Sequence, residues 1–216
     1  MSLQGCEILS ATTVAGYPGF EAIPRTWDNE HQKTVARVDP GEFYITNLDE
    51  FIFTRLGSCV AACIWDPLMG IGGLNHFLLP ERVCHEDWHQ LTSYSCRYGN
   101  WAMEQLINGI LKVGGQRHRL QAKIFGGAQM SSMSLLNVGQ SNIEFVRHYL
   151  NMEQINIVAE DLGGPWPRRV MFHPNSGKVL LKRLSPERIA QMMSEEGRYL
   201  KGLKESVPDN NVELFD

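Results

Sequence analysis

Cys59 and His76 offer a thiol and an imidazole, the pair from which a cysteine nucleophile and its base are made. Cys59 lies in the run Gly57-Ser58-Cys59-Val60-Ala61-Ala62-Cys63-Ile64-Trp65. His76 lies in Gly70-Ile71-Gly72-Gly73-Leu74-Asn75-His76-Phe77-Leu78-Leu79-Pro80. Both runs are apolar and β-prone, and Asp66-Pro67-Leu68-Met69 between them opens a turn. A hairpin centred between Pro67 and Leu68 sets positions whose numbers sum to 135 opposite each other, as those of Cys59 and His76 do. Directly opposed residues of an antiparallel pair have Cβ atoms about 4.5–5.5 Å apart, close enough to share a proton. Gly70, Gly72 and Gly73 also permit a one-residue bulge, which would send the two side chains to opposite faces. Gly57 and Ser58 allow a tight turn before the thiol, so that backbone N–H groups could face a bound carbonyl oxygen.

The remaining candidates are weaker. Thr54, Ser58 and Asn75 could orient His76 or bind substrate. Asn75 should point away from its neighbour, and Thr54 faces away from Cys59 on a straight strand unless Gly57 breaks it. Gly126 and Gly127, after an apolar strand, could bring backbone close to a substrate as oxyanion donors, or form a simple turn. No nucleotide-binding glycine pattern is present. Cys84, His85, His89 and Cys96 have the residue types of a zinc site but not a standard spacing, so no metal is expected. Glu160 and Asp161 are adjacent on a strand end and face opposite ways, and Asp161 suits a turn cap. Arg168 and Arg169 read as a solvated strand start.

These residues need a core to hold them, and 216 residues with 43% hydrophobic content supply one. A net charge of −4 gives no basic field, which argues against a nucleic-acid partner. No apolar run is long enough to cross a membrane, and no signal peptide is evident, so a cytoplasmic protein is expected. Five cysteines, an odd number in a chain of this size, suit reduced thiols. Cys59 and Cys63 lie about 13 Å apart along a strand and should not be bridged.

Along the chain, residues 1–38 read as a peripheral N-terminal extension. Strands are expected at 42–46, 51–54, 121–125 and 155–160, and a hairpin at 168–172 and 178–182 around His173-Pro174-Asn175-Ser176-Gly177. Helices are expected at 97–113, at 141–152 with Ser141 as N-cap, and from Ser185-Pro186-Glu187 to about 203. The pattern predicts an α/β (α+β) domain over 39–184, with a mixed, largely antiparallel β core layered with helices. Residues 185–216 form a C-terminal helix and tail.

Six motifs in order resemble the CheD family of chemoreceptor glutamine deamidases. They are Pro40-Gly41-Glu42-Phe43, Leu56-Gly57-Ser58-Cys59-Val60, Trp65-Asp66-Pro67, the run from Gly72 to Pro80, Ala122-Lys123-Ile124-Phe125-Gly126-Gly127-Ala128, and Ala159-Glu160-Asp161-Leu162-Gly163-Gly164. The resemblance implies a Cys-His hydrolase that converts receptor glutamines to glutamates without a cofactor. It places the nucleophile at Cys59 and the base at His76. A threonine upstream of the cysteine is the third family residue, and Thr54 is the one near that place. The implied partners are chemoreceptor cytoplasmic helices and, in some bacteria, the phosphatase CheC. Three other readings stay open: a non-catalytic adaptor for receptor or CheC, a thiol peptidase, and a zinc-binding domain around Cys84–Cys96.

Overall fold

Two apolar runs with almost no polar interruption, 60–66 and 71–77, form strands β5 (Val60–Asp66) and β6 (Ile71–Phe77), every residue of which is buried. Strands this apolar belong inside a fold covered on both faces. The computed structural model of the chain describes residues 17–79, 94–129, 138–185, 194, 197–199 and 201–202; the side chains of 94–97 are outside the description. β5 and β6 sit in a five-stranded sheet, with β3 (Phe43–Thr46) beyond β6 and then β7 (Gln121–Gly126) and β8 (Asn156–Leu162) beyond β5. The other sheet runs β1 (Arg25–Asp28), β2 (Lys33–Arg37), β4 (Phe51–Leu56), β9 (Arg168–His173) and β10 (Lys178–Arg183). Pairing is antiparallel except for β2 with β4 and β7 with β8.

The layers follow from side-chain alternation. Ala61, Cys63, Trp65 and Leu74 of one sheet meet Ile52, Leu56, Val170 and Phe172 of the other in a core between the sheets. Val60, Ala62 and Ile64 point the opposite way. They pack under helices α1 (Tyr94–Lys112) and α2 (Val138–Met152), against Met103, Leu106, Ile110, Val146 and Leu150. Hence the expected α+β architecture holds: a sheet, a second sheet and a helical layer. None of the described helices is long and apolar enough to cross a membrane.

Several expectations are corrected. Residues 25–37 are not peripheral: β2 pairs with β4, and Ala36 and Val38 are in the inter-sheet core. The alternating Thr34-Val35-Ala36-Arg37 is too short and polar to stand out alone. α1 begins earlier than residue 97 and α2 earlier than residue 141, so Ser141 is a buried helical residue rather than an N-cap. Arg168 is not solvated. It is 2% exposed and donates to Asp161 Oδ1 (2.7 Å), Trp166 O (2.9 Å) and Gly163 O (2.7 Å). Asp161 therefore lies within β8 as an ion-pair partner of Arg168 and Arg183, not as a turn cap. The C-terminal helix is visible only as helical residues 194, 197–199 and 201–202, with Tyr199 packed against the inter-sheet core.

Candidate active site

The turn between β5 and β6 sets where Cys59 and His76 stand. Asp66 Oδ1 accepts the N–H of Leu68 (3.0 Å) and of Met69 (3.3 Å), and Asp66 O accepts that of Gly70 (3.0 Å). Gly70 closes this four-residue loop with φ of +64°, a conformation glycine adopts without strain. The loop centre falls between Leu68 and Met69, so opposed residues sum to 137: Ala61 faces His76 and Val60 faces Phe77. The expected direct opposition of Cys59 and His76 is thus corrected by two positions. A shift of two preserves the face. Cys59 precedes the first paired residue and stands diagonal to His76, a relation that places backbones about 7–8 Å apart and Cβ atoms somewhat closer. Both are buried, at 0% and 3% exposure.

Thr54 reaches the same place from the other sheet. Ile52, Thr54 and Leu56 alternate onto the inner face of β4, and the Gly57-Ser58 bend carries the chain across to β5. Separation along one strand is therefore irrelevant. Thr54 Oγ1 lies 2.8 Å from His76 Nδ1 and donates to Val38 O at 2.8 Å. A hydroxyl has one hydrogen. Since that hydrogen goes to Val38 O, a carbonyl that can only accept, Nδ1 must carry the proton shared with Oγ1. Nε2 then bears the lone pair, the tautomer a general base requires. Nε2 is buried and has no hydrogen-bond partner among the described residues. Burial pushes the imidazole down to about 4, against the upward pull of the Asp39 charge and the Val38 carbonyl. The ring at rest is neutral.

The backbone around Cys59 is held at three consecutive carbonyls. Ala128 N–H donates to Gly57 O (2.7 Å), Asn142 Nδ2 to Ser58 O (2.9 Å) and Gly127 N–H to Cys59 O (2.7 Å). Gly127, expected as an oxyanion donor, gives its N–H to the backbone of Cys59. Gly126 has φ of +115°, and a Cβ there would meet Cys59 O at 2.2 Å, so close approach to Cys59 is what demands a glycine. Asn75 points away from His76, as alternation requires. Its Nδ2 donates to Ala102 O (3.1 Å) and its Oδ1 accepts from Ala62 N–H (3.0 Å).

Neither Cys59 nor Cys63 is in a disulfide. Burial drives the Cys63 thiol far above its ordinary value, only partly countered by Lys123, so it stays protonated and inert. Cys84, His85 and His89 lie outside the described residues, as does the side chain of Cys96. Among the described residues, one group of acids and histidine comes close together, Asp28, Glu30 and His31 on the exposed β1–β2 turn. Asn142 was invisible to motif reading; the available signal was a polar residue inside an amphipathic helix, which many surface positions share.

A profile for CheD, described as CheD chemotactic sensory transduction, matches residues 78–183. The chain is 42% identical over 201 residues, 92% of each protein, to a protein of Saccharophagus degradans named probable chemoreceptor glutamine deamidase CheD. Proteins of the same name from Halorhodospira halophila (44% identical, 92% of each chain) and Methylobacillus flagellatus (46% identical, 88% of this chain and 93% of that one) are similar over comparable lengths.

Proposed function

Because this chain belongs to the CheD family, we propose that it hydrolyses the side-chain amides of chemoreceptor glutamines to glutamates, with Cys59 as nucleophile and His76 as base. The observation that carries this reading is the His76 environment. A neutral ring, its Nδ1–H fixed by Thr54, presents a bare Nε2 in the same inter-sheet core as the Cys59 thiol.

Sulfur attacks the carboxamide carbon as Nε2 takes the thiol proton, so charge separates only as the new bond forms. Backbone N–H groups at Ser58-Cys59 receive the developing oxyanion, a donor type worth about 2.7–4 kcal/mol. The imidazolium, held by Thr54, protonates the departing ammonia. Water activated by the same Nε2 then opens the thioester to give glutamate. Each turnover adds one negative charge to a receptor helix. A substrate on the cytoplasmic helices of receptors supports a cytoplasmic location for the protein.

The complete burial of Cys59 favours one alternative, a non-catalytic adaptor that binds receptor or the phosphatase CheC. Mass spectrometry of receptor incubated with wild-type protein and with Cys59→Ala separates the two. Deamidation predicts a one-dalton gain and ammonia release with wild type alone; equal conversion by Cys59→Ala, or none by either, defeats the proposed chemistry. Cleaved receptor would indicate a peptidase.

A further inference from the structure

The β5–β6 ladder ends at Val60 and Phe77, yet its geometry continues for one more rung in an altered form. In an antiparallel pair, the backbone polar groups of successive residues face alternate sides. His76 turns its N–H and C=O toward β3, bonding Glu42 O (2.9 Å) and Gly41 N–H (2.8 Å), and Cys59 O turns toward Gly127 of the β7 side. Ser58 and Leu79 therefore face each other, and their numbers sum to 137 like every pair in the ladder. In a continued ladder, Leu79 N–H would donate to Ser58 O. Instead, Leu79 N–H donates to Asn142 Oδ1 at 2.9 Å and Asn142 Nδ2 donates to Ser58 O at 2.9 Å. The side-chain amide of a helical residue is interposed in the rung, with its acceptor to one strand and its donor to the other. Asn142 is fully buried. The first turn of α2 is seated on the same loop, since a Cβ on Gly139 would meet Gly127 O at 2.7 Å.

We propose that Asn142 is a positioning residue for amide hydrolysis, an inserted rung that orients the Ser58–Cys59 peptide. The proposal rests on the deamidase reading. His76 is anchored independently by Thr54 and the β3 ladder, and the carbonyl of Cys59 by Gly127. Asn142 holds the Ser58 carbonyl. In a planar trans peptide, the carbonyl of Ser58 and the N–H of Cys59 point in opposite directions. Holding the first toward α2 aims the second away from it. A donor aimed where charge develops acts on the transition state, not on substrate affinity.

Asn142→Asp tests this on the full chain with receptor as substrate. The carboxylate keeps an oxygen for Leu79 N–H and sets its other oxygen against Ser58 O, which removes one bond and repels the carbonyl. Loss of one oriented donor predicts a fall in kcat of about 10²-fold, with KM and the acid limb of the pH profile held within about threefold and about 0.3 pH units. Asn75→Asp is the matched control: it is a similarly buried asparagine that joins β5 and β6 to α1. It should lower thermal stability comparably and kcat by less than about threefold. Asn142→Ala, which removes the amide without adding a charge, is read the same way. The proposal is overturned by near-wild-type kcat in both Asn142 variants, by a rise in KM in place of the fall in kcat, by equal kcat losses in Asn75→Asp, or by failure of both Asn142 variants to fold. A wild-type protein that releases no ammonia overturns the deamidase reading and this proposal with it.

Discussion

The buried, neutral state of His76 has a thermodynamic signature that tests the tautomer argument without substrate. The imidazole is 3% exposed, and burial holds it at about 4 against an ordinary 6.5. As pH falls below 6.5 the unfolded chain binds a proton at this residue while the folded chain does not, so stability is lost; above 6.5 both forms are neutral and nothing changes. The loss continues until the folded ring protonates near pH 4. For these two values it amounts to about 2–3 kcal/mol between about pH 7 and about pH 4.5. His76→Gln carries no charge at any pH and lacks this loss, whatever the substitution does to stability at neutral pH. Urea unfolding of both proteins at the two pH values gives the difference of differences, in which the common acid lability of carboxylates cancels. Wild type should lose about 2–3 kcal/mol more than the variant on acidification. An equal loss would show that the ring is not desolvated. A smaller loss in wild type would show an imidazolium at rest, paired with a thiolate, and would refute transfer of the proton during attack.

Three further outcomes follow from named contacts. Thr54→Val, isosteric but without the hydroxyl, should lower kcat about 10- to 10²-fold, the worth of a hydrogen bond of about 1.5–3 kcal/mol to a ring that becomes charged, and Thr54→Ser should retain most activity in the ammonia assay. Gly126→Ala should cost about 1–3 kcal/mol in urea unfolding for its positive φ, with activity falling further because the new Cβ meets Cys59 O at 2.2 Å. Asp66 is buried beneath Arg119, whose Nη2 lies 2.6 Å from Oδ2. Burial works against the carboxylate, but Arg119 and the N–H groups of Gln116, Met69 and Leu68 outweigh it and hold the group at about 2. Asp66 therefore supports folding above its ordinary 3.8 and withdraws that support as pH falls toward 2. Arg119→Met removes the countercharge and should lower stability in urea unfolding at neutral pH, by an amount that shrinks as the carboxylate protonates on acidification.

What the sequence determined by itself was the presence of one candidate thiol and one candidate imidazole and the kind of element carrying them. Two apolar β-prone runs around Asp66-Pro67 dictate a hairpin through local chemistry. Cys59 and His76 share a face under any register shift of an even number of residues, because side chains alternate with period two. The register itself was not readable. It depends on the Asp66 side chain gathering two loop N–H groups and on Gly70 taking a left-handed conformation, which lengthened the loop and made the pair diagonal. Local pattern was also silent about residues 25–37, whose strands gain their stability from pairing with β4. The same holds for Arg168, buried only because Asp161 and two loop carbonyls converge on it from β8 and the turn that follows. Thr54 and Asn142 belong wholly to tertiary structure. Thr54 meets His76 across two sheets, 22 residues away along the chain, and Asn142 reaches Ser58 from 84 residues away. Neither distance leaves a periodicity for a sequence to display. Packing of separate layers around one buried imidazole and one strand end is what brings them together.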